Sequence, residues 1–113
     1  MLFRSWLWEA CWQRANGTAQ EYVTLPSRQA VRLPDQESLD LGASLGIPAL
    51  TAHRCLSTYE GADGRLRPGT LAGRTVLVAG GAGAVGNAAI QLARWAGATV
   101  VTTVSGEIGR AHV

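Results

Sequence analysis

The run Thr75-Val76-Leu77-Val78-Ala79 leads without a break into Gly80-Gly81-Ala82-Gly83-Ala84-Val85-Gly86, and no other stretch limits the possible folds so strongly. A β-branched, apolar run of this length reads as a buried strand, and the glycines that follow leave it by a tight turn. Gly81, Gly83 and Gly86 satisfy G-x-G-x-x-G, in which each glycine has its own steric reason. The first permits the turn, the second lets backbone approach a pyrophosphate, and the third lets a helix pack close to the strand. Val85, Ala88, Ala89, Leu92, Ala93 and Ala96 then recur at helical spacing, an apolar stripe suited to covering a sheet. Gly97 follows as a C-terminal cap, and Thr99-Val100-Val101-Thr102-Thr103-Val104 is a second β-branched run. Strand, turn, helix and strand make one parallel βαβ unit, with a right-handed crossover expected. Its helix N-terminus offers free N–H groups and a favourable dipole to an anion. The backbone of Ala82, Gly83, Ala84 and Val85 is therefore the candidate phosphate cradle; a purely structural glycine turn is the alternative.

Composition narrows the partners. Of 113 residues 47% are hydrophobic and the formal net charge is +2, a balance that gives no reason to expect nucleic acid. Lysine is absent, and Arg14, Arg28, Arg32, Arg54, Arg65, Arg67, Arg74 and Arg94 are scattered rather than grouped. The apolar start, Met1 to Trp8, lacks the core and cleavage site of a signal peptide. No run reaches the roughly 18 apolar residues of a membrane span, so a soluble, cytoplasmic protein with no membrane partner is expected. Cys11 and Cys55 offer neither a zinc spacing nor a disulfide framework, and free buried thiols are expected.

Ahead of the glycine turn the signals are weaker. Trp6 to Trp12 and Gly17 to Pro26 suggest two short strands separated by the Asn16-Gly17 turn signal, and Val31 to Pro34 suggests a third. The tryptophans read as core or edge packing. Asp35 or Ser38 can cap a short helix through Leu39 to Ser44. A second helix is predicted over Ala49 to Leu56, with Pro48 in its first turn. Gly61 to Gly73, punctuated by glycine and proline, is the loop before the nucleotide strand.

With these segments placed, the chain resembles the medium-chain dehydrogenase/reductase superfamily, and within it the quinone oxidoreductase group that includes zeta-crystallin. Three blocks carry the resemblance: Gly17 to Val23, Leu45 to Ala52, and Thr75 to Gly86 running on to Ala93. It implies an α/β fold in which a partial Rossmann unit is preceded by the end of a GroES-like, β-rich substrate domain. Residues 1–45 would belong to the first and 46–106 to the start of the NADP-binding domain with its lead-in helix. Residues 107–113 break the pattern and match one reading frame of a widely used sequencing-library adapter, so a foreign tail is expected there. Family members are much longer, and the chain is expected to be a fragment, inactive and poorly folded on its own. Members of this branch reduce quinones or activated double bonds with NADPH and without metal, and many are homodimers. A non-catalytic, crystallin-like or RNA-associated protein that binds NADPH through the same fold is the alternative.

Two of these implications meet the chain's own residues. Ile47 stands where the zinc alcohol dehydrogenase branch carries a cysteine or aspartate ligand, and an alkyl side chain cannot bind zinc. No metal site is expected. NAD-specific sites place an acid about 20 residues beyond the glycine motif; here Ser105 occupies that place, able to donate to a 2′-phosphate without repelling it. NADP is accordingly the expected cofactor, with Arg110, inside the expected foreign tail, given no role. By resemblance Thr51 lies near the nicotinamide, unless its hydroxyl simply bonds back to its own helix. His53 has no carboxylate partner nearby in sequence and reads as structural. No catalytic residue is assigned, because the polar groups that polarise the acceptor are expected upstream of Met1.

Overall fold

The computed structural model describes residues 4–106; the expected foreign tail, Arg110 included, lies outside them. The chain divides into two compact units, Met1–Ile47 and Pro48–Val113.

In the first unit β1 (Ser5–Leu7) pairs antiparallel with β2 (Ala30–Arg32), Trp6 standing opposite Val31. Backbone bonds extend the pairing at both ends, Leu33 N–H to Arg4 O at 2.9 Å and Trp8 N–H to Gln29 O at 3.2 Å. Gln29 is buried, and its amide nitrogen donates to Trp8 O at 2.8 Å and Glu9 O at 3.2 Å, so the donors of this buried side chain are paired. The predicted strand over Trp6 to Trp12 stops at Leu7. Beyond it Glu9 and Gln13 take positive φ and the chain turns twice, Trp12 N–H bonding Glu9 O and Arg14 N–H bonding Cys11 O. The strand predicted over Gly17 to Pro26 does not form, because among the described residues no segment pairs with it. Gln20 folds back on Thr18 and Gly17 instead.

Two predicted helices are one, α1 (Leu39–Ser57), with Pro48 inside it. Ser38 is the cap, its Oγ accepting the Leu41 N–H at 3.0 Å; Asp35 instead accepts at its carbonyl from Arg4. Pro48 removes one i→i−4 bond. Helix persists on both sides because each half is held by burial: Gly42 lies against Leu33, 1% exposed, and Ala52 and Leu56 enter the core of the second unit.

The second unit follows the βαβ expectation closely. β3 (Thr75–Ala79), α2 (Ala84–Trp95) and β4 (Thr99–Thr103) appear in order, and the strands pair in parallel from Thr75 opposite Thr99 to Ala79 opposite Thr103. The fold is α/β. Ala89 and Ala93 of α2 and Ala96, its C-cap, are buried against Val78 of β3, joined by Ala52, Leu56, Leu66 and Leu71. Alanine at these positions brings the helix axis close to the sheet, and Ile90, not in the predicted stripe, packs at its edge while Val85 is 39% exposed. α2 ends as its sequence demands. Gly97, at φ 93°, donates to Arg94 O at 3.0 Å, and Ala98 N–H reaches Ala93 O at 2.9 Å, the paired bonds of a Schellman cap. On the opposite face of the sheet the register partners Leu77 and Val101 are 68% and 51% exposed.

Neither thiol is buried: Cys11 and Cys55 are both free and exposed. Cys11 lies in the turns after β1, and Cys55 on a side of α1 that the core formed by Ala52 and Leu56 leaves open. No described helix is long and apolar enough to cross a membrane.

Candidate functional site

The glycine turn joins the C-terminal end of β3 to the N-terminus of α2, as its sequence requires. The work divides among the glycines differently from expectation. The left-handed residue is Gly80, at φ 69°, not Gly81. Gly81 is excluded from carrying a side chain by its neighbours: a Cβ there would run into Thr102 Oγ1 and come within 2.9 Å of Ile90 Cδ1. Gly86 fills the role foreseen for it, because its Cβ would strike the Gly80 carbonyl and come within 2.9 Å of Gly81 Cα. At Gly83, the N-cap of α2 with φ −77°, a Cβ would meet only Gly80 O, at 3.4 Å. Space is therefore open in front of Gly83.

The donors of the turn separate into spent and free. Gly81 N–H is bonded to Thr103 O at 3.0 Å and Gly83 N–H to Gly80 O at 3.0 Å, while Asn87 N–H makes the first helical bond, to Gly83 O at 2.8 Å. Gly83 thus contributes no N–H to a ligand, contrary to expectation; what it contributes is room. Ala82, Ala84, Val85 and Gly86 bond through N–H to no acceptor among the described residues, as the first turn of a helix leaves its donors. Ala82, Ala84 and Val85 are exposed, whereas Gly86 is buried. A hollow of about 580 Å³ opens here, lined by Gly80, Gly83 to Gly86 and Ala89, by β3, and by Ala52, Cys55 and Leu56 of α1. Its walls are apolar apart from the backbone of the turn.

The other predicted residues lie elsewhere. Thr51 is exposed on α1 and is not among the residues that line the hollow; its hydroxyl makes no bond back to its helix among the described residues. Ser105 is exposed, two residues beyond the end of β4. Ile47 is 81% exposed on α1, and His53 is half-buried on the same helix. Thr102 and Thr103, which hold the turn from β4, were missed by sequence reading. Only their position at the end of the second strand could have marked them.

A parallel strand that ends in a glycine turn and feeds the N-terminus of its covering helix defines a Rossmann-type α/β unit. No family model matches the chain. Among curated relatives it is 47% identical over 88 residues to a highly reducing polyketide synthase of Penicillium roqueforti, covering 78% of this chain and 4% of that protein. It is 39% identical to a zinc-type alcohol dehydrogenase-like protein of Schizosaccharomyces pombe, over 77% of this chain and 24% of the relative. With a quinone oxidoreductase of Rattus norvegicus it shares 34% identity, over 88% of this chain and 28% of the relative. The crystal structure of JamJ enoyl reductase in its apo form is 32% identical, with a TM-score of 0.55 over 72% of this chain and 22% of that one. The chain belongs to the medium-chain dehydrogenase/reductase superfamily. It spans about a quarter of the length of the dehydrogenase-like and quinone oxidoreductase relatives.

Proposed function

We propose that the full-length parent of this chain is a zinc-independent, NADPH-dependent oxidoreductase that reduces quinones or activated carbon–carbon double bonds. In this reading residues 46–106 contribute the opening βαβ of an NADP-binding domain with its lead-in helix, and residues 1–45 the end of a GroES-like substrate domain. The observation that carries it is the set of free N–H groups on Ala82, Ala84 and Val85 around a residue, Gly83, that leaves room for an anion. Donors without protein acceptors at a helix N-terminus suit a pyrophosphate, so the residues present fit the cofactor. Gly81 and Gly86 shape the turn without donating to the ligand. When bound, the dinucleotide supplies the hydride; the chain orients it and keeps the adjoining wall apolar.

Ser105 supports NADP over NAD because it puts a hydroxyl rather than a carboxylate beyond β4. Ile47 supports a zinc-free reaction by its chemistry. Thr51 enters on the family block alone, as does a homodimer. The enoyl reductase and quinone oxidoreductase relatives support an electron-poor double bond or quinone as acceptor.

Two measurements test the reading. Fluorescence titration should show NADPH binding more tightly than NADH, and Ser105→Asp should reverse that order by placing a negative charge beside the 2′-phosphate. In the full-length parent, NADPH oxidation should proceed with ortho- and para-quinones or an enone in the presence of a chelator. Tighter NADH binding by the unaltered parent, or activity that vanishes on metal removal, refutes it.

A further inference from the structure

We propose that Thr103, at the C-terminal end of β4, is the positioning residue of the phosphate turn, an inference that rests on the dinucleotide reading above. Gly80 holds φ at 69°, a backbone state that a turn glycine enters and leaves readily unless something fixes it. Thr103 fixes it twice. Its Oγ1 accepts the Gly80 N–H at 3.3 Å and its carbonyl accepts the Gly81 N–H at 3.0 Å, so one residue takes both donors just past the last register pair, Ala79 opposite Thr103. Any residue at 103 could supply the carbonyl. Only a side chain with an acceptor at the γ position can take the Gly80 N–H.

The consequence passes to the ligand side through bonds already described. Once the peptide at Gly80 is oriented, its carbonyl accepts the Gly83 N–H at 3.0 Å. Gly83 is the N-cap of α2, and its own carbonyl starts the helix at Asn87. Thr103 thereby sets where the free N–H groups of Ala82, Ala84 and Val85 point. Thr102 closes the alternative path. Its Oγ1 donates to Val78 O at 2.8 Å and occupies the space beside Gly81 where a Cβ would go, so the turn cannot sink toward β4.

The test compares Thr103→Val, which keeps the β-branched shape and removes the acceptor, with Thr103→Ser, which keeps the acceptor. NADPH affinity of the full-length parent is measured by fluorescence titration, Gly80 amide exchange by NMR, and folding by thermal melt. Both groups are exposed, so water replaces part of what is lost. One neutral hydrogen bond then corresponds to about a three- to tenfold weakening of NADPH binding in the valine variant. Faster exchange at Gly80, an unchanged melt and restoration by serine are expected with it. Undiminished NADPH affinity in the valine variant, or a loss that serine does not restore, overturns the role of Thr103 while leaving the dinucleotide reading intact. Failure of the unaltered full-length parent to bind NADPH overturns the dinucleotide reading and this role with it, and Gly80 exchange then reports whether Thr103 holds the turn for folding alone.

Discussion

Adding one methyl group at Gly86 should destabilise the fold, whereas adding the same group at Gly83, three residues earlier, should leave folding intact and abolish cofactor binding. In an exposed helix Gly→Ala gains about 1 kcal/mol from propensity. At Gly86 the new Cβ would lie 2.9 Å from both the Gly80 carbonyl carbon and Gly81 Cα, and closer still to Gly80 O. Ordinary carbon contacts begin near ~3.5 Å. All three atoms are backbone, so no rotamer change relieves the overlap and α2 must lift from the turn. Overpacking costs about 1–3 kcal/mol, and with no side chain to adapt the upper end applies, leaving a net loss of about 2 kcal/mol after the propensity gain. Gly83 differs in geometry. Its φ is −77° and its Cβ would meet only Gly80 O, at 3.4 Å, so Gly83→Ala should change stability by no more than the roughly 0.4–1 kcal/mol gain of a compatible site. Its methyl would instead stand in the hollow, before the free N–H groups. Urea denaturation followed by circular dichroism measures the first effect and NADPH fluorescence titration the second. If Gly86→Ala proves as stable as the unaltered chain, or Gly83→Ala the less stable of the two, the steric assignment of these glycines is wrong.

The remaining predictions concern side chains away from the turn. The Arg67 guanidinium, 2.8 Å from Asp63 Oδ2, with help from the Arg65 N–H, holds the Asp63 carboxyl below its ordinary value of 3.8. Whatever this contact contributes to the Gly61 to Gly73 loop is present above pH 3.8 and is lost as pH falls through the lower folded value; an NMR titration of the carboxyl should show a midpoint below 3.8, raised by Arg67→Gln. Because Cys11 and Cys55 are both exposed, a thiol reagent such as DTNB should label both without denaturant, and labelling of either only after unfolding would contradict their placement.

The second unit was legible in the sequence because what specifies it is local. β-branched runs, the alanine stripe of α2 and the left-handed cap at Gly97 each act within a few residues, and together they give strand, helix and strand with boundaries close to those observed. The first unit was not legible to the same degree. Its strands are three residues each, paired between positions 23 to 27 apart, and a run such as Gly17 to Pro26 becomes a strand only where another backbone accepts its hydrogen bonds. α1 passes through Pro48 because burial at Leu33 on one side and in the Ala52–Leu56 core on the other outweighs one missing backbone bond. The candidate site shows the same division. The motif marked Gly81, Gly83 and Gly86, since a glycine turn into a helix is written in consecutive residues. Which glycine turns left-handed, which N–H groups stay free, and that Thr103 anchors Gly80 from 23 residues away were decided by the pairing of β3 with β4, because hydrogen bonds between strands depend on which backbones meet and not on the order of residues along either one.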